Sequence, residues 1–198
     1  MSGKLIVISG PSGVGKSTVM KQLLSQCDNM RFSVSATTRP IRPGETDGVN
    51  YYFMNRQEFQ NLIQQDALLE YAEYVGNFYG TPEGPLNDTL ALGHDILLDI
   101  EVQGALNVKK RRSDAILIFL AAPSFQELER RLTGRGDTSE AVCRDRLNWA
   151  RWEYSQAPNY DYIVVNDSVD LAVQEIISIV TAEKCKVNER IHYLKEDL

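Results

Sequence analysis

The chain has 198 residues, of which 43% are hydrophobic and 24% charged, and it carries a formal net charge of −6. This composition argues against a disordered chain, and the negative charge argues against a general nucleic-acid binder. No apolar run reaches the roughly 18 residues of a membrane span. Three widely separated cysteines exclude a disulfide framework and a cysteine-based zinc site, so we expect a reduced, cytoplasmic protein with neither a nucleic-acid nor a membrane partner.

The first predicted elements are a strand, a glycine-rich turn and a helix. Residues 4–9 are rich in Ile and Val, as in a short buried strand. Residues 16–26 place apolar side chains on one helical face, which predicts a helix. The turn and the start of this helix read Gly10-Pro11-Ser12-Gly13-Val14-Gly15-Lys16-Ser17-Thr18.

This stretch matches the phosphate-loop pattern G-x-x-x-x-G-K-[ST] in full, in the order of strand, loop and helix that the pattern requires. Glycines let successive backbone N–H groups point at phosphate oxygens, and the N-terminal end of the helix adds its positive dipole. Lys16 can reach the β- and γ-phosphates, and the Ser17 hydroxyl can bind Mg²⁺. The sequence therefore predicts a nucleoside triphosphate site.

The segment from about residue 36 to residue 90 is predicted to be an inserted subdomain of mixed α+β structure, because its strands are shorter and more polar than the others. A predicted strand at 31–35 precedes this subdomain. The elements predicted within it are loop 37–48, strand 51–54, helix 56–65, strands 68–75 and 78–79, and helix 82–92.

In the rest of the chain, buried strands alternate with helices. The predicted elements are strand 95–100, helix 105–112, strand 115–121, a helix that begins with the capping box at 124–127, helix 139–156, strand 162–165 and a long C-terminal helix from residue 169. This alternation predicts an α/β fold, with a parallel sheet covered by helices on both faces in a three-layer core of residues 1–35 and 91–198.

Arginines lie in two groups. Arg39 and Arg42 stand in a proline-stiffened loop, and six arginines fall between residues 130 and 151, where there is no lysine. The guanidinium fork matches phosphate oxygens, so both groups indicate small phosphorylated ligands. Spacing alone leaves a second interpretation open for each group, namely a solvated surface.

Several motifs together resemble guanylate kinase, a family of nucleoside monophosphate kinases. They are GPSGVGKST at 10–18, TTRPIRPGE at 37–45, GVNYYF at 48–53, GNFYGT at 76–81, LDIEVQG at 98–104 and IVVND at 163–167. The resemblance covers nearly the whole chain, and the TTRPxRPGE loop is more specific than the phosphate loop. It implies that the chain transfers the γ-phosphoryl group of ATP to GMP with Mg²⁺, using a phosphate-loop core, an inserted GMP-binding subdomain and a helical lid at about residues 127–157.

The resemblance also implies the residues of the GMP site. They are Arg39, Arg42, Tyr51 and Tyr79 for the phosphate, and Ser35, Glu70, Thr81, Asp99 and Glu101 near the base. Glu70 would accept hydrogen bonds from the guanine N1–H and 2-amino group. Thr81 and Glu101 stand where many relatives have serine and aspartate, so the hydroxyl and the charge are kept. Asp99 ends an apolar strand, and its role is open between Mg²⁺ binding and GMP binding.

The catalytic residues implied by the resemblance are Lys16, Arg42, Arg135 and Arg146, while Asn166 and Asp167 match the loop on the adenine side of ATP. Arg135 stands between two glycines, a setting that suits a closing lid. Positively charged groups are expected there because positioning and charge stabilisation supply most of the catalysis of phosphoryl transfer.

Three questions stay open from the sequence. Guanylate-kinase-like domains also occur as peptide-binding modules without catalysis, and a phosphate-loop kinase could act on another acceptor. The oligomeric state is undetermined, with a homo-oligomer among the alternatives. The cationic run at residues 109–112 fits either a nucleic-acid patch or a solvated helix end.

Overall fold

The computed structural model of the chain describes residues 2–133 and 140–194. Arg135, predicted as a catalytic lid residue, lies outside the described residues. No helix in the described part of the chain is both long enough and apolar enough to span a bilayer. Cys27, Cys143 and Cys185 are free thiols, as expected.

The described residues form nine strands, eight α-helices and two short 3₁₀ turns. In chain order these are β1 (Leu5–Ser9), α1 (Lys16–Gln26), β2 (Met30–Phe32), β3 (Ala36–Thr37), β4 (Tyr52–Phe53), α2 (Arg56–Gln64), β5 (Leu68–Tyr74), β6 (Asn77–Pro82), α3 (Glu83–Ala91), β7 (Asp95–Asp99), α4 (Val102–Arg111), β8 (Ile116–Ala121), α5 (Phe125–Thr133), α6 (Glu140–Gln156), the turn Ala157–Asn159, β9 (Tyr162–Val165), α7 (Val169–Lys184), α8 (Val187–Arg190) and the turn Ile191–Leu194.

The central sheet has five parallel strands in the order β2-β7-β1-β8-β9. Side chains of β1 alternate between its two faces. Ile6 and Ile8 pack into the core formed with α1, α5, α6 and α7, whereas Leu5 and Val7 pack into the core formed with α3, α4 and β5. Both faces of the sheet are therefore covered, and the predicted three-layer α/β core is confirmed.

A second sheet has four strands in the order β4-β3-β6-β5. Strands β3 and β4 are parallel, and the other two pairs are antiparallel. Helix α2 covers one face through Phe59, which is buried with Ala36 and Leu68. The helix begins with a capping box in which Asn55 and Glu58 each bind the backbone N–H of the other. This sheet thus has a small core of its own.

The main difference from the predicted elements lies between residues 31 and 35, which were expected to form one strand. Instead β2 ends at Phe32 and β3 begins at Ala36, because they belong to different sheets: β2 pairs with β7, and β3 pairs with β4 and β6. The chain therefore crosses from the central sheet to the second sheet at residues 33–35, a change of partner that local composition does not encode.

The cationic run at residues 109–112 is largely paired within the protein. The ion pairs are Lys109 with Asp161 (2.8 Å), Arg111 with Asp66 (2.7 Å) and with Glu83 (3.1 Å), and Arg112 with Asp114 (3.0 Å). Through Arg111, the end of α4 is tied to the turn after α2 and to the start of α3. Three of the four cations are therefore engaged within the protein, and Arg111 connects α4 to the segments that flank β5 and β6.

Candidate active site

The phosphate loop joins β1 to α1 and requires glycine at its bends. Gly13 and Gly15 have φ angles of 85° and 96°, in the left-handed region. A Cβ on Gly15 would lie 2.6 Å from the Asn166 side-chain nitrogen, and one on Gly10 would lie 2.2 Å from the Leu120 carbonyl oxygen. Side chains are thus excluded both by the backbone conformation and by the close approach of neighbouring strands.

The loop presents unused hydrogen-bond donors. Within the described residues, the backbone N–H groups of Gly13, Gly15, Lys16 and Ser17 have no hydrogen-bond acceptor. They stand at the N-terminal end of α1, where the helix dipole favours an anion. The Lys16 ammonium donates to the Gly10 carbonyl oxygen, so it lies folded over the loop. This arrangement is a cradle for phosphate oxygens.

The back of the loop is held by residues distant in sequence. The Asn166 side-chain amide donates to the Val14 carbonyl oxygen at 2.8 Å, and Arg131 approaches the same oxygen at 3.4 Å. Arg131 also donates to the Asn166 carbonyl oxygen at 3.1 Å. Asn166 is buried and Asp167 is exposed, so the contacts place Asn166 behind the loop, as a brace for its backbone.

Glu127 on α5 orients Arg131. Its carboxylate accepts from the Arg131 Nε at 2.8 Å and from Arg130 at 2.7 and 2.8 Å. The hydrogen bonds from Arg130 and then from Arg131 lower the pKa of Glu127 to about 2. The carboxylate is therefore charged throughout the physiological range and keeps both arginines in place.

Acidic residues face Lys16 at the ends of the neighbouring strand and helix. Asp99 is the last residue of β7, and Glu101 immediately precedes α4. The Asp99 side chain is accessible to water. The surrounding protein nevertheless raises its pKa by partial desolvation. The positive charge of Lys16 lowers this pKa, and the negative charge of Glu101 raises it further. A cation or a hydrogen-bond donor bound here would restore the charged form of Asp99.

The second sheet brings five predicted GMP-site residues onto one face. Ala36 of β3 pairs with Gly80 of β6 and with Tyr52 of β4. Moving one residue along these pairings places Ser35 opposite Thr81 and next to Tyr51. Residues opposite each other share a face, and so do residues two apart on one strand. The face that results carries Ser35, Tyr51, Glu70, Tyr79 and Thr81, and α2 covers the opposite face.

Glu70 and Thr81 are in direct contact. The Thr81 hydroxyl donates to the Glu70 carboxylate at 2.8 Å. Burial raises the pKa of Glu70, and the Thr81 hydrogen bond partly offsets this rise. A Cβ on Gly104 of α4 would lie 3.3 Å from the second carboxylate oxygen. Glu70 is therefore a desolvated acceptor between the second sheet and α4, suited to a ligand with N–H donors.

Arg39 lies at the end of the same face, next to the two tyrosines. Its guanidinium is 5.4 Å from the centre of the Tyr51 ring, and the Tyr51 and Tyr79 rings are 6.1 Å apart, edge to face. Both nitrogens at its tip bind the Glu45 carboxylate, at 3.0 and 2.7 Å. Arg42, three residues on, is exposed. The predicted phosphate-binding residues are thus close to one another.

Helix α6 supplies a residue that the sequence reasoning did not select. Arg146, Ala150 and Glu153 are spaced by four and three residues, so they lie along one side of the helix. Glu153 is only 2% exposed. Burial, with a contribution from Glu101, raises its pKa to about 7, and Lys16 opposes the rise. The spacing from Arg146 is the signal by which Glu153 could have been found.

The predicted residues therefore form two groups on two sheets. Lys16 lies with Asp99 and Glu101 at the phosphate loop, whereas Arg39, Tyr51, Glu70, Tyr79 and Thr81 lie on the second sheet. Over residues 2–133 and 140–194, no hydrogen bond joins the phosphate loop to the second sheet. The described residues thus form one anion-binding loop and, on a different sheet, one face suited to a flat, hydrogen-bonding ligand.

Comparison with known proteins gives one consistent result. The guanylate kinase family profile matches residues 2–183. A curated guanylate kinase of Desulfitobacterium hafniense is 50% identical over 95% of this chain and 94% of its own length, and that of Halalkalibacterium halodurans is 51% identical over 98% and 97%. The crystal structure of guanylate kinase from Anaplasma phagocytophilum superposes with a TM-score of 0.74 at 36% identity, covering 98% of this chain and 94% of that one.

Proposed function

This chain belongs to the guanylate kinase family, and on that basis we propose that the phosphate loop holds ATP and the second sheet holds GMP. The chain is an ATP:GMP phosphotransferase, which converts ATP and GMP into ADP and GDP. The observation that carries the two-site assignment is the pairing of a free N–H cradle with a separate, buried Glu70–Thr81 pair. A peptide-binding module has no use for the first of these features.

The triphosphate of ATP lies in the cradle formed by residues 10–18. The unused N–H groups and Lys16 bind its β- and γ-phosphates. Lys16 exchanges its bond to the Gly10 carbonyl for one to phosphate, a stronger, charge-assisted contact. Asn166 and Asp167 follow β9 on the adenine side.

Mg²⁺ fits the chemistry of this end of the site. The Ser17 hydroxyl is exposed beside the cradle, and Asp99 offers a carboxylate oxygen nearby. The described residues contain no cluster of three acidic, His or Cys side chains able to hold a metal alone. This agrees with a cation that takes few protein ligands and relies on phosphate and water. When bound, Mg²⁺ neutralises charge on the transferring phosphoryl group.

GMP lies on the open face of the second sheet. Arg39, Arg42, Tyr51 and Tyr79 hold its phosphate, which explains why cations and hydroxyl donors gather at one end of this face. At the other end of this face, Ser35, Glu70 and Thr81 read guanine. Asp99 and Glu101 complete the guanine site from the side of the phosphate loop, at the ends of β7 and α4. Glu70 accepts from N1–H and the 2-amino group, and these donors, added to the Thr81 hydroxyl, favour the charged form of a desolvated carboxylate.

In the transfer step a GMP phosphate oxygen attacks the γ-phosphorus of ATP, and the bond from that phosphorus to the bridging oxygen of ADP breaks. Lys16, Arg42, Arg135 and Arg146 stabilise the charge that is shared among these oxygens. Arg146 is half-buried on α6 and is delivered by the lid, residues 127–157. The GMP-binding subdomain spans residues 36–90, and residues 1–35 and 91–198 form the core. The reaction belongs to cytoplasmic purine nucleotide metabolism.

The test of this function is a panel of nucleoside monophosphates with ATP and Mg²⁺, read as specificity constants. GMP should be preferred over AMP by about 10⁴-fold or more, because adenine offers neither N1–H nor a 2-amino group and leaves the desolvated Glu70 carboxylate with the Thr81 hydroxyl as its partner in place of the ligand's two donors. IMP, which lacks only the 2-amino group, should fall between the two.

Glu70→Gln should lose most of the preference of GMP over IMP, because one acceptor oxygen becomes a donor. Glu73→Gln is the matched control, since Glu73 lies on the same strand but is exposed and paired with Arg56. Equal use of GMP and IMP by the wild type would contradict the role of Glu70. Efficient use of AMP would contradict the assignment of guanylate as the acceptor.

A further inference from the structure

The loop that carries Arg39 and Arg42 is organised by a third residue, Glu45. Its carboxylate accepts from Arg39 Nη1 at 3.0 Å, from Arg39 Nη2 at 2.7 Å and from the Arg42 backbone N–H at 2.8 Å. The Glu45 N–H in turn donates to the Arg42 carbonyl oxygen at 3.1 Å. One side chain therefore connects both arginines that the proposed function assigns to the acceptor phosphate.

These contacts leave one edge of the Arg39 guanidinium open. Glu45 occupies the edge between Nη1 and Nη2, and Nη1 also donates to the Pro40 carbonyl oxygen at 2.7 Å. In the described part of the chain, Nε and the second hydrogen of Nη2 make no well-formed hydrogen bond. Glu45, and to a smaller extent the nearby Tyr79 hydroxyl, raise the pKa of Arg39, so Tyr79 is a weaker neighbour of the guanidinium. The open edge has the two parallel N–H groups that bind phosphate in a bidentate manner.

Aromatic rings fix the plane of the same guanidinium. The Arg39 Cζ lies 5.4 Å from the centre of the Tyr51 ring and 5.6 Å from that of Phe53. The Arg39 side chain is only 10% exposed, and that of Glu45 only 20%. The ion pair is therefore half-buried and restrained on several sides, unlike the usual pair between mobile surface side chains.

We propose that Glu45 is a positioning residue for the acceptor phosphate, which it serves by holding Arg39 and Arg42 in their binding arrangement before GMP arrives. This inference rests on the proposed function. Ordering a long side chain on binding costs conformational entropy. Glu45 removes that cost for Arg39 and orders the Arg42 backbone as well. Because Glu45 and the open edge lie on different sides of the guanidinium, the phosphate binds without displacing the carboxylate.

The experiment compares dissociation constants for GMP and for a non-hydrolysable ATP analogue, measured by calorimetry. We expect Glu45→Ala to weaken GMP binding about tenfold and to leave binding of the ATP analogue within about twofold. Glu45→Gln keeps one acceptor and should fall between Glu45→Ala and the wild type. Glu73→Gln, which removes an exposed acid from the same subdomain, should bind GMP as the wild type does.

A double-mutant cycle separates positioning from general support of the fold. If Glu45 acts mainly through Arg39, Glu45→Ala should weaken GMP binding much less in the Arg39→Ala background than in the wild type. Equal losses in both backgrounds would overturn the inference, and so would a parallel loss of binding of the ATP analogue. Glu45→Gln keeps the size and shape of the side chain, so it carries the test if Glu45→Ala fails to fold.

Two further outcomes are distinct. In the first, Glu45→Ala and Glu45→Gln bind GMP as tightly as the wild type or more tightly, while the wild type forms GDP normally. That result would overturn the role of Glu45 and leave the proposed function intact. Tighter binding would show that the carboxylate competes with phosphate. Absence of GDP formation by the wild type would overturn the proposed function and this inference with it.

Discussion

At the scale of single residues, Glu153 and Asp95 show how partners decide the cost of a buried carboxyl group. Asp95 accepts from the Lys4 N–H at 2.9 Å and from the Lys184 ammonium. Glu153 is buried to a similar degree, yet in the described part of the chain no hydrogen bond reaches its carboxyl group. The groups that influence its charge are Lys16 and Glu101. Glu153 is therefore held as a partly neutral acid beside a site that receives anions.

The raised pKa of Glu153 makes stability depend on pH. In the unfolded chain a glutamate loses its proton near pH 4.5, whereas in the folded protein Glu153 does so near pH 7. The folded state thus binds more protons between these values, so its stability is full below pH 4.5 and falls as pH rises through 7. The loss amounts to about 3 kcal/mol at high pH.

Glu153→Gln should remove this loss. We expect the variant to be more stable than the wild type above pH 7, with the difference shrinking towards pH 4.5, in urea unfolding measured across this range. Glu175→Gln, at an exposed position on α7, is the control and should follow the wild-type profile. Parallel profiles for Glu153→Gln and the wild type would show that Glu153 is charged in the folded protein.

At the scale of elements, the phosphate loop depends on the loop after β9 for its shape. The Asn166 amide and the Arg131 guanidinium both point at the Val14 carbonyl oxygen, and Glu127 keeps Arg131 in place. Hydrogen bonds from α5 and from the loop after β9 to the Val14 carbonyl oxygen thus fix the turn between β1 and α1. Its inner side keeps free N–H groups for phosphate.

Asn166→Ala should disturb the loop from behind. The buried Val14 carbonyl would lose its 2.8 Å hydrogen bond, at a cost of about 1–3 kcal/mol in the free energy of unfolding. We expect the Michaelis constant for ATP to rise several-fold and that for GMP to change little, because no hydrogen bond among the described residues joins the second sheet to this loop. Asn188→Ala, on exposed α8, is the control. A rise confined to GMP would contradict this role of Asn166.

At the scale of the whole molecule, the proposed function requires the two sheets to approach each other. The groups proposed to bind ATP and GMP stand on separate sheets without a hydrogen bond between them in the described ranges, whereas reacting atoms have to come within about 3–3.5 Å. Arg111 links α4 to Asp66 and Glu83 across the same boundary. The second sheet is thus connected to the core through these ion pairs, which lie away from the face proposed to bind GMP.

Binding of both nucleotides should therefore bring the two sheets together and exclude water, which would otherwise act as acceptor. We expect the radius of gyration from small-angle X-ray scattering to decrease when a non-hydrolysable ATP analogue and GMP are present together. The decrease should be smaller with either ligand alone. An unchanged radius with both ligands would contradict closure.

The sequence by itself determined the features that reside in contiguous residues. The phosphate loop is predictable because its glycines, Lys16 and Ser17 act through one short stretch of backbone. The layered core is predictable because uninterrupted apolar strands have to be covered on both faces. The likeness of the motifs to guanylate kinase, including the TTRPxRPGE loop, likewise needed only the order of residues.

The tertiary structure alone decided which distant residues meet. Glu70 faces Thr81 because of the register between β5 and β6, and Asn166 reaches Val14 across 152 positions of sequence. In the sequence Glu153 is one of several acidic residues on a predicted helix. Its burial and its electrostatic coupling to Lys16 and Glu101 arise only when α6 packs against the core. Register and helix packing depend on the summed fit of many side chains, and no local pattern of residues records that sum.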